Sequence, residues 1–210
     1  MNREIIKYLG GRFIPAIVNL ALIVLAIRFI GPEEYGRYSL ILYAVILILT
    51  LGFHWVQVSI LRFLGCMPRE TGTVMSRFFD LTILTALAST ALVVVVCIFY
   101  FHLPAFELIL VALFSFLNHF YLFHQAILQA YHRSVRTAIL EGSDQLIVMI
   151  VLLLGLFVFR WETSSLLFVS LVIGLAGVLL LRVFIREKGL LTVDLKHLYW
   201  DSRFSAKVVE

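Results

Sequence analysis

Residues 81–101 read LTILTALASTALVVVVCIFYF, a run of 21 positions without Asp, Glu, Lys or Arg. A helix needs about 20 mainly apolar residues to cross a hydrocarbon layer about 30 Å thick. Similar apolar runs lie on both sides of this one. Together they predict an all-α integral membrane protein with six transmembrane helices, at residues 11–30, 38–61, 81–101, 103–130, 137–159 and 164–181.

The composition excludes a water-soluble domain. Hydrophobic residues make up 62% of the chain and charged residues 14%, against about 25% charged residues in globular proteins. The formal net charge of +4 does not indicate nucleic-acid binding, because the basic residues lie beside the apolar runs. The chain has no Gly-rich nucleotide loop, no H-E-x-x-H motif, and no nucleophile–base pair at one membrane depth. We therefore predict no enzyme activity, no cofactor and no metal site.

The basic residues predict the orientation of the helices. Cytoplasmic loops of membrane proteins are enriched in Lys and Arg. Only Arg28, Arg37 and Arg160 lie on one set of alternating loops, and the other fourteen lie on the opposite set. Both termini are therefore predicted to be cytoplasmic. The fourteen are Arg3, Lys7, Arg12, Arg62, Arg69, Arg77, Arg133, Arg136, Arg182, Arg186, Lys188, Lys196, Arg203 and Lys207.

Most connections between the runs are short. Outer turns are predicted at residues 31–36, 102–104 and 160–162, where Gly, Pro and polar residues interrupt the apolar pattern. The longest inner loop is predicted at residues 62–80. A basic cytoplasmic tail at residues 182–210 follows the sixth run, and either an amphipathic surface helix or a solvated linker fits its sequence.

Polar residues within the fourth run share one face. Ser115, Asn118, Gln125 and Gln129 fall within roughly 80° of arc at 100° per residue. Polar groups at membrane depth usually face protein or a water-filled cavity. We interpret this face as the lining of a cavity, although such residues also form hydrogen bonds to neighbouring helices.

Three other runs carry polar faces of the same kind. Those of the fifth and second runs lie near the inner side, and the first run has one polar residue near its middle and one near its outer end. For Asn19, Thr50 and Ser115 a structural role is the favoured alternative, and Arg28 can also extend to the outer headgroups. The acidic pair of the fifth run can instead lie shallow enough to stay hydrated. The residues are Asn19 and Arg28; Thr50, His54, Gln57 and Arg62; and Glu141, Asp144 and Gln145.

The sixth run has a face of small residues instead. Ser170, Gly174 and Gly177 lie at i, i+4 and i+7, a spacing that allows close approach by a neighbouring helix. This pattern predicts helix packing rather than a binding site.

Residues 26–40, AIRFIGPEEYGRYSL, followed by Ile60-Leu61-Arg62-Phe63, resemble the N-terminus of the polysaccharide-transporter branch of the multidrug/oligosaccharidyl-lipid/polysaccharide exporter superfamily. This branch includes the Wzx-type flippases of O-antigen and capsule pathways. The resemblance implies one six-helix lobe of a two-lobe, MATE-like transporter. It also implies a bacterial inner-membrane location and lipid-linked oligosaccharide, carried on undecaprenyl pyrophosphate, as substrate.

The chain has one such lobe, so the resemblance predicts either a missing C-terminal lobe or pairing with a second copy. In the favoured hypothesis, Arg28 and Arg62 attract pyrophosphate, while Asn118, Gln125 and Gln129 bind sugar hydroxyls along a path that includes His54 and Gln57.

Two alternatives to the flippase hypothesis stay open. One is a proton- or Na⁺-coupled drug or metabolite antiporter, in which Glu141, Asp144 and Gln145 bind the coupling ion. The other is a non-transporting membrane remnant or assembly protein, in which polar substitutions along the fourth run change abundance alone.

Overall fold

The computed structural model describes the backbone of residues 2–66, 72–130, 134–161 and 163–187, and the side chains of residues 16–63, 76–130, 137–161 and 163–181. The described residues form helices and no β-strand, which confirms the all-α prediction. The helices are α1 (Asn2–Phe29), α2 (Pro32–Cys66), α3 (Gly72–Val96), α4 (Ala105–Ala130), α5 (Ser134–Phe157) and α6 (Ser164–Glu187), and α3 continues into a π-helical segment, Cys97–Phe101.

Five helices are long and apolar enough to span a membrane, over Pro32–Phe63, Ser76–Phe101, Ala105–Ala130, Thr137–Phe157 and Ser164–Leu181. In α1, the corresponding apolar stretch among the described side chains is shorter, Ala16–Phe29. Many large apolar side chains lie exposed on the outside of the bundle, including Leu51, Leu84 and Phe99. An apolar exterior of this kind matches a hydrocarbon solvent.

Several helices extend beyond the apolar runs of the sequence. The predicted loop at residues 62–80 is largely helical, because α2 continues to Cys66 and α3 begins at Gly72. Likewise α6 continues through Arg182 to Glu187. Hydropathy marks where a helix is apolar enough for lipid, whereas the backbone hydrogen bonds of a helix continue into polar sequence.

The turn between α1 and α2 is tighter than the predicted loop at residues 31–36. Only Ile30 and Gly31 separate the two helices, and Gly31 has φ +99°, a conformation that glycine adopts without steric cost. Pro32 then begins α2, where its fixed φ suits the first helical position and its missing N–H costs nothing. Glu33 and Glu34 in the first turn interact favourably with the helix dipole.

The other two turns at this end of the bundle lie where the sequence predicted them. The π-helical segment ends at His102, which has φ 48°, and α4 begins at Ala105. Between α5 and α6, Arg160 has φ 49°, and the ring of Trp161 stacks on Phe106 with centroids 6.2 Å apart. We call this end of the bundle the Gly31 end and the opposite end the Arg62 end.

The helices form two groups of three. One group is α1, α5 and α6, in which α5 contacts both other helices extensively; the other is α2, α3 and α4, in which all three pack together. The groups meet mainly where α4 packs on α6. Although α1 and α2 are consecutive, they contact each other only slightly.

Small residues bring α5 and α6 close together, as the sequence predicted. A Cβ atom at Gly174 would collide with Val148, and one at Gly177 would lie 3.2 Å from Ile147 Cδ1. On α5, a Cβ atom at Gly155 would collide with Leu166. The prediction of a packing surface on α6 is therefore confirmed for Gly174 and Gly177, whereas Ser170 lines a cleft.

The predicted orientation in the membrane stays a prediction. Of the fourteen basic residues assigned to the inner side, the structure describes the side chains of Arg62 and Arg77 alone, and both are exposed at the Arg62 end. The tail beyond Glu187 lies outside the described residues.

Candidate functional site

A cleft of about 350 Å³ lies between α1 and α2, where these two helices diverge. Its walls are α1, with Asn19 and Ala26, and α2, with tyrosines at its Gly31 end. Its floor comes from α4, α5 and α6. The slight contact between α1 and α2 thus leaves a concave site within the apolar part of the bundle.

The lining consists mainly of aliphatic and aromatic side chains, with amide, hydroxyl and carboxylate groups among them. The polar residues come from five helices, so that no single helix carries the site. Asp144 is the only charged residue among the described residues that line the cleft. The polar and tyrosine lining residues are Asn19, Tyr35, Tyr38, Ser39, Tyr43, Asn118, Tyr121, Asp144, Gln145 and Ser170.

Asp144 is held in an unusual environment. Its Oδ1 atom is buried and has no hydrogen-bond partner among the described residues. A Cβ atom at Gly174 of α6 would lie 3.1 Å from this oxygen. A buried carboxylate oxygen without a partner costs free energy, and a bound ion, water or ligand is one explanation for it.

The structure separates Asp144 from its predicted companion, Glu141. The side-chain amide of Gln125 donates a hydrogen bond of 2.5 Å from Nε2 to Glu141 Oε1. Neither residue lines the cleft. The pair joins α4 to α5 near the Arg62 end, which is the structural role that polar residues in membrane helices often have.

The predicted polar face of α4 is divided among different surroundings. Ser115 is fully buried and its hydroxyl donates to the carbonyl oxygen of Val111 in its own helix (2.8 Å). Asn118 lines the cleft, whereas Gln129 is half-buried and is not part of the lining. Of the predicted site residues, Asn118, Asp144 and Gln145 therefore come together in the cleft lining.

The other predicted path residues lie outside the cleft. Arg28 is exposed near the C-terminal end of α1, and His54 and Arg62 are exposed on α2. Gln57 is half-buried on the same helix. The structure does not bring these four residues together with the cleft lining.

One polar cluster was not predicted. Glu107 in the first turn of α4 is only 4% exposed, and its Oε2 lies 3.1 Å from Nη2 of Arg37 on α2. The hydroxyls of Ser164 and Ser165, at the start of α6, donate to Glu107 Oε1 at 3.3 Å and 2.9 Å. A lone acid within an apolar run was the available signal, because such residues are usually paired.

A second buried cluster joins α3 to α4. His119 is completely buried, and its Nδ1 lies 2.9 Å from the carbonyl oxygen of Ser115. That oxygen can only accept, so Nδ1 carries a proton. The Ser89 hydroxyl lies 2.9 Å from Nε2 and 2.6 Å from the carbonyl oxygen of Thr85 in its own helix, so it links the ring to α3. The ring also packs edge-on against Phe53 of α2, so this histidine fixes the packing of three helices.

We expect Ser89→Ala to lower the free energy of unfolding by about 1–3 kcal/mol, the cost of leaving the buried Nε2 of His119 without its hydrogen-bond partner. Unfolding in mixed micelles measures the effect. Ser59→Ala is the control, because the Ser59 hydroxyl donates only to Trp55 of its own helix on an exposed face. Equal stabilities for the two variants would show that the Ser89–His119 bond contributes nothing.

Among the described residues, no three His, Cys, Asp or Glu side chains lie close enough together to hold a metal ion. The helical bundle and its five apolar helices are those of a multi-pass membrane protein. No family model, no curated protein and no solved structure matches the chain.

Proposed function

We propose that this chain is a six-helix lobe of a transporter that moves lipid-linked oligosaccharide across the bacterial inner membrane. The observation that carries the proposal is the cleft within the bundle, whose mainly apolar lining includes amide, hydroxyl and carboxylate groups. Amide and carboxylate groups cost free energy in hydrocarbon, so their presence around a cleft favours a role in binding or transport over a purely structural role. The resemblance of residues 26–40 to polysaccharide transporters is the reason for proposing lipid-linked oligosaccharide as the substrate.

The lining suits sugars. Tyrosine rings offer apolar faces for the C–H surface of a pyranose, and their hydroxyls bind polar partners. Asn118 and Gln145 provide amide donors and acceptors, while the Asp144 carboxylate accepts hydrogen bonds from hydroxyl groups. Mixed lining of this kind binds a neutral polyhydroxylated molecule without needing a fixed charge on the cargo.

The negative charge of the cleft lining does not favour binding of the pyrophosphate inside the cleft. The only charged residue in the described lining is an acid, which repels a phosphate group. Arg28 and Arg62, exposed outside the cleft, are therefore the groups proposed to attract the anion by charge-assisted hydrogen bonds. Because Arg28 and Arg62 lie at opposite ends of the bundle, each would attract the anion on its own side of the membrane while the glycan enters the cleft, and a second lobe or a second copy completes the path.

The test is reconstitution of the protein expressed from its complete gene, with undecaprenyl pyrophosphate carrying a fluorescent oligosaccharide as the probe. We expect Asn118→Leu to slow flipping by several-fold to about tenfold, because one hydrogen bond contributes about 0.5–1.5 kcal/mol. Leu113→Ala, on the exposed face of the same helix, is the matched control and should flip at the wild-type rate.

Two results would contradict the proposal. An unchanged rate in Asn118→Leu would remove the cleft from the path, and a wild-type protein that does not flip this probe would exclude the cargo.

A specific observation favours a second candidate, an ion-coupled antiporter. Asp144, whose Oδ1 has no partner among the described residues, lines a cleft that Asn19, Asn118 and Gln145 also line. Carboxylate and amide oxygens are the ligands that hard cations prefer, and a carboxylate can equally bind a proton. In this candidate Asp144 carries the coupling ion, and Glu141, already bonded to Gln125, does not.

A further inference from the structure

The two groups of three helices meet mainly along one interface. The α1-α5-α6 group and the α2-α3-α4 group meet along α4 and α6, and the cleft lies on the side where α1 and α2 diverge. At the Gly31 end the chain crosses between the groups through Gly31, whose positive φ and open surroundings leave room for movement.

The Glu107 cluster crosses between the same two groups. Glu107 belongs to α4, and its Oε1 accepts hydrogen bonds from Ser164 and Ser165 of α6. Arg37 of α2 pairs with the other carboxylate oxygen from within the group of Glu107 itself. The arginine therefore compensates the buried charge, and the serines make the connection between groups.

Among the described residues, two aromatic pairs also lie across the interface at this end. Tyr38 of α2 packs edge-on against Phe168 of α6 with ring centroids 4.9 Å apart, and Phe106 stacks on Trp161. Apolar contacts tolerate small sliding movements, whereas charge-assisted hydrogen bonds depend strongly on distance and angle. The bonds of Glu107 are thus the directional connection across this interface.

We propose that the cleft opens toward the Gly31 end by separation of the two groups, and that the hydrogen bonds from Ser164 and Ser165 to Glu107 form the latch that holds it closed. The proposal concerns the cleft itself and holds whatever the cargo is. It predicts a closed state in which the lining near α6 is shielded, and an open state reached by breaking two hydrogen bonds without unfolding.

The experiment measures water access to the cleft in the full-length protein. Cys66 is replaced by serine, and Ser170→Cys places a reporter in the lining at a position that is 1% exposed. The native Cys97, also 1% exposed but in the core of the bundle, stays as an internal reference for general loosening. A small, membrane-impermeant methanethiosulfonate is added, and mass spectrometry follows the labelling of each cysteine.

We expect the double variant Ser164→Ala/Ser165→Ala to raise the labelling rate at position 170 by about tenfold, with Glu107→Gln giving a similar effect. Position 97 should react at its original rate in both. Thr163→Ala is the matched control, because this exposed hydroxyl lies beside the latch serines and is not bonded to Glu107 in the structure.

Two outcomes overturn the latch. If position 170 reacts at the wild-type rate in both the serine variant and Glu107→Gln, the bonds do not hold the cleft closed. If positions 97 and 170 become reactive together, the bonds stabilise the whole bundle rather than one opening. Failure of the oligosaccharide probe to be flipped contradicts the proposed cargo and leaves both labelling rates unaffected.

Discussion

Replacing Asp144 with asparagine is expected to reduce transport by about 10- to 100-fold and to raise the stability of the protein at the same time. Hydrogen bonds to a charged group contribute about 1.5–3 kcal/mol each, which corresponds to this loss for a sugar hydroxyl or a coupling ion. Stability should increase because the buried Oδ1 has no partner in the structure, and a neutral amide costs less to bury than a carboxylate.

A loss of transport together with a gain in stability distinguishes a functional carboxylate from a structural one. Glu141→Gln is the matched control, three residues away on the same helix, and its carboxylate already accepts a hydrogen bond from Gln125. This control should lose stability, because a charge-assisted bond becomes a neutral one, while its transport rate stays close to wild type. Thermal unfolding in detergent and flipping in proteoliposomes measure the two quantities on the same preparations.

The same variants separate the two candidate functions. For an oligosaccharide flippase that needs no ion, Asp144→Asn should weaken binding of the glycan and leave the rate independent of an imposed Na⁺ or proton gradient. For an antiporter, the wild type should respond to one of those gradients and the variant should not. An Asp144→Asn protein that transports normally and unfolds more easily would assign this residue a purely structural role.

Local chemistry made the helical fold and the turns predictable. Gly31 and Pro32 end one helix and begin the next through their own backbone preferences, and no distant contact is needed for that. In the same way, the spacing of Gly174 and Gly177 on α6 predicted a packing face, because helical periodicity alone aligns them. Features that depend on one helix or one turn were therefore accessible from the sequence.

Features that depend on which helices pack together could not be predicted from the sequence. Helical phase put Glu141 and Asp144 on one face, but only the position of Gln125 on α4 decides that Glu141 is paired and Asp144 is not. The partners of Glu107 lie 57 to 70 residues away along the chain, on α2 and α6. Since lipid-exposed and buried faces are both apolar in membrane helices, hydropathy does not specify neighbours, and the cleft between α1 and α2 could not be predicted.

The contact between α5 and α6 leads to the second large expected effect, a loss of stability of about 1–3 kcal/mol in Gly174→Ala, typical of overpacked sites. A Cβ atom there would collide with Val148, whose β-branched side chain has few alternative rotamers. Alanine has a helix propensity about 1 kcal/mol better than that of glycine, so the intrinsic preference of the backbone opposes this loss.

Gly142→Ala supplies the control that isolates the packing contribution. Gly142 also lies within a helix, α5, but a Cβ atom there would meet nothing within 4 Å. The propensity gain is therefore uncompensated at position 142, and that variant should be more stable than wild type. The free energy of unfolding, measured in mixed micelles, should fall for Gly174→Ala and rise for Gly142→Ala. A stabilised Gly174→Ala protein would contradict the close packing of α5 on α6. In Gly174→Ala, the added methyl group would also lie 3.1 Å from Asp144 Oδ1. Displacement of α5 should therefore move the carboxylate and reduce transport, whereas Gly142→Ala should leave transport unchanged.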